Sequence, residues 1–241
     1  MLDTNVRPPP VTISPLSRCL DSFLRLEPDD LRVIEGCLGP MRLQRPTGAI
    51  AAEEEVQRTG VVVVSDGWAA AQATLEDGRR QIVDLLLPGD VADLAALRAE
   101  RLGLVALTRV RVQRVDRPLS DLQRAGGGEG RLARAWRLKS DAAHRRIVRH
   151  VVRLGRMPAY QRVADFLVEL QERQRRYTRA AREVIELPLT QDALADHLGM
   201  SVVHVNRVLQ HLRRDGLIAY RNGHMAIRDS AGLARHAWRS A

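Results

Sequence analysis

The sequence predicts an α+β protein in three parts: an N-terminal antiparallel β-barrel, a long dimerisation helix and a C-terminal winged helix-turn-helix. Three observations carry this prediction. Between about Met41 and Val115, short apolar runs alternate with Gly-containing turns. From Arg131 to Leu154 the chain keeps a helical period without proline or internal glycine. Residues 189 to 218, LTQDALADHLGMSVVHVNRVLQHLRRDGLI, set two apolar series on either side of Gly199. At 241 residues the chain exceeds the usual size of one domain, so at least two are expected.

Residues 1 to 16 contain Pro8, Pro9, Pro10 and Pro15 with little to bury, and read as a flexible arm. Helical periodicity follows over 17 to 38 through Leu20, Phe23, Leu24, Leu31, Ile34 and Leu38. The barrel is assigned to 17–128. Its strands are VVVV (61 to 64), WAAAQATL (68 to 75), RQIVDLLL (80 to 87), LGLVAL (102 to 107) and VRVQRV (110 to 115). Short strands broken by SDG, EDG and PGD turns fit an antiparallel barrel or sandwich. VVVVSDGW alone fits a hairpin turning at Asp66-Gly67. GGGEG at 126 to 130 has no strand before it and no GK[ST] after it, so it reads as a linker and not a phosphate loop.

The dimerisation helix is assigned to 129–156. Ala133, Trp136, Ser140, Ala143, Ile147, His150 and Leu154 follow alternating steps of three and four, the seam that lets a helix pack along a copy of itself. The opposing reading is a helix packed only on its own barrel, for which Leu138, Ala142, Val148 and Val152 provide a stripe. Both faces remain available. Gly155 and Pro158 end the helix, and a second helix is expected over 158 to 176 within a DNA-binding unit spanning 157–241.

A helix-turn-helix needs apolar anchors on two short helices, a small residue where they touch and glycine at the turn. Leu194 and Leu198 anchor the first helix, with Ala195 as the small contact. Gly199 takes the left-handed turn that costs other residues energy. Met200, Val205, Val208, Leu209 and Leu212 form the inner face of the second helix, and Ser201 suits its N-cap. The 3.6-residue period then points Val203, Asn206, Arg207, Gln210 and Arg214 outward. Arginine suits guanine, asparagine or glutamine suits adenine, and valine suits a thymine methyl. Val203, Asn206, Arg207 and Gln210 are therefore assigned to base edges, and Arg214 and Arg221 to the phosphate backbone. AYRNGHMAI reads as a hairpin turning at Asn222-Gly223, with 184 to 187 as a third strand.

Charge agrees with that assignment. The chain carries a net +9. From Arg131 onward 22 Lys and Arg face 10 Asp and Glu, a net +12, whereas the first 130 residues carry a net −3. A basic C-terminal half points to a polyanionic partner. Lys139 is the only lysine, so the choice of arginine elsewhere follows from composition and says nothing about phosphate recognition. No run approaches a membrane span, and MLDTNVRPPP lacks the apolar core of a signal peptide; a cytoplasmic chain without membrane contact is expected. Cys19 and Cys37 have no metal-type spacing. No HExxH, GxSxG or Walker motif is present, so no enzyme and no cofactor are expected. The histidines at 144, 150, 197, 211, 224 and 236 read as surface or packing residues and not as metal ligands.

SDGWAA, LEDGRRQIVDLLLPGD, LGRMPAYQRVADFLVEL and the 189 to 218 segment together resemble the Crp/Fnr family of bacterial transcription regulators, from about Leu16 to Leu233. The VHVNR form is similar to one branch of it. The resemblance implies a cyclic-nucleotide-binding-like barrel and a homodimer reading an inverted repeat in double-stranded DNA, with RNA polymerase as a further partner. It also implies that Val203, Asn206 and Arg207 face bases, while Thr190, Gln191, Ser201 and His204 lie near phosphates. Val203 departs from the family's usual glutamate. VADLAALRAERLGLVAL lacks the Gly-Glu turn and the Arg-Ser/Thr pair that hold a cyclic phosphate, and two cysteines are too few for the iron–sulfur members. Control by cyclic AMP is therefore not expected. Either the barrel senses an effector the sequence does not identify, or it only supports the dimer.

Overall fold

The computed structural model describes residues 13–44, 60–115, 130–178, 184–221 and 224–238. Two helices come first, α1 (Pro15–Phe23) and α2 (Pro28–Glu35). The single helical stretch expected over 17 to 38 is thus divided. Leu24 is extended, Pro28 starts a new helix at a position where its missing N–H is harmless, and Leu38 opens a strand. Ser14 caps α1, its hydroxyl accepting from the Ser17 amide at 3.1 Å. Leu16 and Leu20 are fully buried one turn apart, so the core begins inside the stretch read as an arm. The flexible-arm expectation for residues 1 to 12 lies outside the described residues.

Seven antiparallel strands follow: β1 (Leu38–Gln44), β2 (Val61–Asp66), β3 (Ala69–Thr74), β4 (Arg80–Leu86), β5 (Val91–Asp93), β6 (Gly103–Ala106) and β7 (Val110–Val115). A short helix, α3 (Leu94–Ala99), interrupts them. They form one sheet in the order β1-β7-β2-β5 and another in the order β4-β3-β6. Val62, Val64, Leu86, Leu104 and Val112 pack between the two. The hairpin expected at Asp66-Gly67 is not there. β2 pairs with β5 and β7, whereas β3 pairs with β4 and β6, so the turn carries the chain from one sheet to the other. Gly67 has φ +72°, and a Cβ on it would lie 2.2 Å from the Arg109 carbonyl oxygen. The same dipeptide that closes a hairpin elsewhere is needed here for close backbone approach.

The long helix α4 (Arg131–Arg156) leads into α5 (Ala159–Thr178). Beyond it lie β8 (Val184–Glu186), α6 (Gln191–Leu198), α7 (Val202–Arg214), β9 (Ile218–Arg221), β10 (His224–Ile227) and α8 (Ser230–His236). β8, β10 and β9 make a third sheet, with the strand expected near 184 to 187 in place. The Asn222-Gly223 turn and residues 126 to 129 lie outside the described residues.

Packing crosses the boundary expected at 156/157. Ile82 and Leu85 of β4, with Trp68 just before β3 and Leu87 just after β4, share one core with Val163, Phe166, Leu167, Leu194 and Leu198. Polar contacts fasten α6 to β4: Gln81 Nε2 donates to the His197 carbonyl at 3.3 Å, His197 Nδ1 lies 3.3 Å from the Ile82 carbonyl, and Arg80 pairs with Asp196 at 2.9 Å. The buried His197 ring stacks on buried His150 of α4, with centroids 4.3 Å apart and planes within 7°. Beside them Arg153, 0% exposed, bridges Asp165 and Glu169 of α5.

Burial pushes both imidazoles below the ordinary histidine value. For His197 the neighbouring His150 and Arg153 add to the effect, and for His150 Arg153 does. The folded chain therefore holds this pair neutral. The unfolded chain takes up protons near pH 6.5, so this contribution to stability is complete above that value and is lost as pH falls through it towards the folded values. The urea midpoint is expected to fall between about pH 7.5 and about pH 5.5, a window above ordinary carboxylate titration. His150→Phe keeps the ring stack, removes one titrating group and should shrink that fall; an equal fall in parent and variant would contradict the assignment.

Candidate nucleic-acid interface

Each half of the 189 to 218 segment is capped as its sequence requires. Thr190 caps α6, its hydroxyl accepting from the Ala193 amide at 3.1 Å. Ser201 caps α7, accepting from the His204 amide at 3.3 Å. Between them Gly199 has φ +59° and ψ 46°, the left-handed turn, and a Cβ there would meet Leu154 Cδ2 at 3.1 Å. Val205, Val208 and Leu212 are buried against Leu194, Ala195 and Leu198. Each full burial of a Val or Leu is worth about 1.5–3 kcal/mol, which fixes the rotation of α7 about its axis.

That rotation leaves the other face open. Val203 is 61% exposed, and Arg207, Gln210 and Arg214 are exposed with it. Asn206 is half-buried, and its Nδ2 donates to Gln191 Oε1 at 2.8 Å. A residue assigned to bases is thus held by one assigned to the backbone, a link across the turn that periodicity does not reveal. Thr190, Gln191, Ser201 and His204 are all exposed along the N-terminal ends of α6 and α7, where helix dipoles favour an anion. The same face carries Arg213, also exposed and not singled out from the sequence. Arg221 ends β9 opposite His224 of β10; its side chain lies outside the described residues.

Two groups that hold this unit in place had no signature in the sequence. Arg162 donates to the carbonyls of Leu198 (2.9 Å) and Gly199, Leu154 and Met157 (3.2 Å each). One guanidinium thereby serves the C-terminal carbonyls of α4 and α6 together. The Tyr160 hydroxyl donates to the Asp215 carboxylate at the end of α7; burial, helped by that bond and the carboxylate's charge, raises the tyrosine's pKa to about 12.

The residues of the seam expected along α4 have different surroundings. Ala133, Trp136 and His150 are buried within the chain, Trp136 against Leu16, Leu20 and Val63. Ala143, Ile147 and Leu154 are half-buried and Ser140 is exposed. On the open side Val151 is 63% exposed, one turn from Ile147 and Leu154. The second stripe is only partly covered: Leu138, Ala142 and Val152 are half-buried and Val148 is exposed.

Comparison with known proteins bears on this surface. Residues 161–236 match the Crp-like helix-turn-helix domain. The chain is 30% identical to the nitrogen fixation regulation protein FixK of Azorhizobium caulinodans, over 84% of this chain and 81% of that protein. It is 30% identical to its namesake from Bradyrhizobium diazoefficiens, over 94% and 97%. The solved structure of FixK2 from Bradyrhizobium japonicum superposes with a TM-score of 0.67 at 29% identity, covering 84% of this chain and 98% of that one.

Proposed function

Because the chain belongs to the Crp/Fnr family of DNA-binding transcriptional regulators, we propose that it works as a homodimer reading an inverted-repeat site through α7. The observation that carries this is the outward face of that helix: Val203, Arg207 and Gln210 are free for base edges while the opposite face is locked by burial. Thr190, Gln191, Ser201, His204, Arg214 and Arg221 set the unit on phosphates. The dimer forms along α4, through Ser140, Ile147, Val151 and Leu154. Val151 supplies exposed apolar surface that the chain itself leaves uncovered. Two recognition helices then lie about one DNA turn apart, roughly 34 Å. RNA polymerase is the further partner in this reading, and the chain performs no catalysis.

Cyclic AMP does not control the protein in this reading. The amides of Ala95 and Ala96, at the start of α3, are already bonded to the Asp93 carboxylate at 2.9 and 3.1 Å. A second anion there would meet that carboxylate and not free N–H groups.

Selection of bound sequences from a random DNA pool is expected to return two inverted half-sites, with affinity unchanged by cyclic AMP. In sedimentation the parent chain should be dimeric at micromolar concentration and Val151→Glu largely monomeric. A monomeric parent binding a single half-site would overturn the dimer. Calorimetric binding of cyclic AMP at micromolar concentration would overturn the second statement.

A further inference from the structure

Away from the DNA face, α1, α4 and α5 enclose a cavity of about 470 Å³, within the range of small-ligand sites. Its wall includes Lys139, the chain's only lysine, which is 8% exposed. The Lys139 ammonium lies 4.0 Å from Asp90 Oδ1, beyond hydrogen-bond reach, and 5.7 Å above the Trp136 ring. Asp90 is engaged elsewhere: Arg173 and the Leu87 amide bond its other oxygen at 2.7 and 2.9 Å. A nearly buried ammonium with only a distant counter-charge is costly unless something else solvates it.

Two acids also line the cavity, both beside arginines: Glu169 with Arg153 and Arg173, and Glu172 with Arg149. The rest of the lining has two characters. Arg145 and Arg176 stand exposed at the rim, neither in an ion pair among the described residues; Arg176 lies 5.0 Å over the Phe23 ring. Phe23, Val148 and Trp238 present apolar surface to the same space. The other cations are matched, Arg146 by Asp84 and Arg149 by Asp165 and Glu172.

We propose that this cavity binds a small amphiphilic anion, its acidic head on Lys139 and Arg145 and its apolar body against Phe23, Val148 and Trp238. A neutral molecule of the same shape would leave the ammonium as poorly solvated as before, and a bare inorganic anion would leave the apolar wall wet. The head group is a carboxylate or a phosphate monoester. The proposal does not depend on the reading of the DNA face.

Calorimetry on the full chain with octanoate, hexyl phosphate, octanol and inorganic phosphate tests it. Octanoate or hexyl phosphate should bind saturably, one per chain, and whichever binds more tightly identifies the head group. Octanol and inorganic phosphate should bind at least tenfold more weakly. Lys139→Met should weaken the organic anion about tenfold. Arg145→Gln, at an exposed position where folding is not at stake, should weaken it several-fold, and thermal unfolding of both variants checks their integrity. Octanol binding as tightly as octanoate, organic-anion affinity unchanged in the folded variants, or no binding of either organic anion at millimolar concentration would each overturn the proposal.

Discussion

Replacing Arg153 by methionine is expected to destabilise the fold by about 3–5 kcal/mol, the cost of removing one partner from a buried ion pair. The side chain is wholly buried and serves two acids on α5, Asp165 Oδ2 at 2.7 Å and Glu169. Arg149 also holds Asp165, at 2.7 Å, and the Trp238 amide donates to it at 2.9 Å. Burial alone would raise the Asp165 pKa, but its bonds to Arg149 and Arg153 outweigh burial and hold it below the ordinary value. The group stays ionised, so the variant leaves charge in the core. Urea denaturation at neutral pH measures the loss. Adding Glu169→Gln to Arg153→Met should recover part of it, since the Glu169 carboxylate, left with only Arg173 at 3.7 Å, is then replaced by a neutral amide. A loss below about 1 kcal/mol would show that water reaches the site and that it is not a buried network.

Arg207→Ala is expected to cost about 1–3 kcal/mol per half-site and to relax preference at one base pair. Lysine should not restore it fully, because an ammonium lacks the planar fork. Arg207 is exposed on α7 and forms no ion pair among the described residues, so its guanidinium is available to a base. A Gln191 that only lies near phosphate would, as Gln191→Ala, weaken all sites alike, but its hydrogen bond to Asn206 adds a second effect. The substitution frees the Asn206 amide, assigned from the sequence to a base edge, and should change preference at one base pair. Titration of each variant against single-base operator variants at several salt concentrations separates the outcomes. An Arg207→Ala chain that binds every operator equally less well, with base preference intact, would mean that α7 is not the reading helix.

What was legible in the sequence was local. Gly199, Ser201 and the apolar steps of α7 obey short-range rules of turn, cap and period, and they appear where those rules put them. Long-range choices were not legible. Asp66-Gly67 satisfies a hairpin and a crossover equally well, and only the partners of β2 and β3 decide between them. The steps of three and four along α4 identify an apolar face without saying what covers it; Trp136 and His150 turned out to be covered by this chain's own residues. The arginines were hardest to place. They are so numerous that no spacing distinguishes Arg153, a buried anchor, or Arg162, a half-buried one, from Arg207, a free hand.

The core shared by the smaller N-terminal sheet and the C-terminal helices bears on the order in which the protein is made. Gln81 and the residue it holds, His197, are 116 positions apart. At 5–20 residues per second, a ribosome needs roughly 6–23 s to cover that distance. For most of that interval Trp68, Ile82, Leu85 and Leu87 have been synthesised, but their partners, which begin at Val163 and run on to Leu198 and beyond, have not all followed. The nascent N-terminal sheet therefore presents a sticky face early in its life, a natural point for chaperone capture, and it becomes self-sufficient only when the last third of the chain arrives.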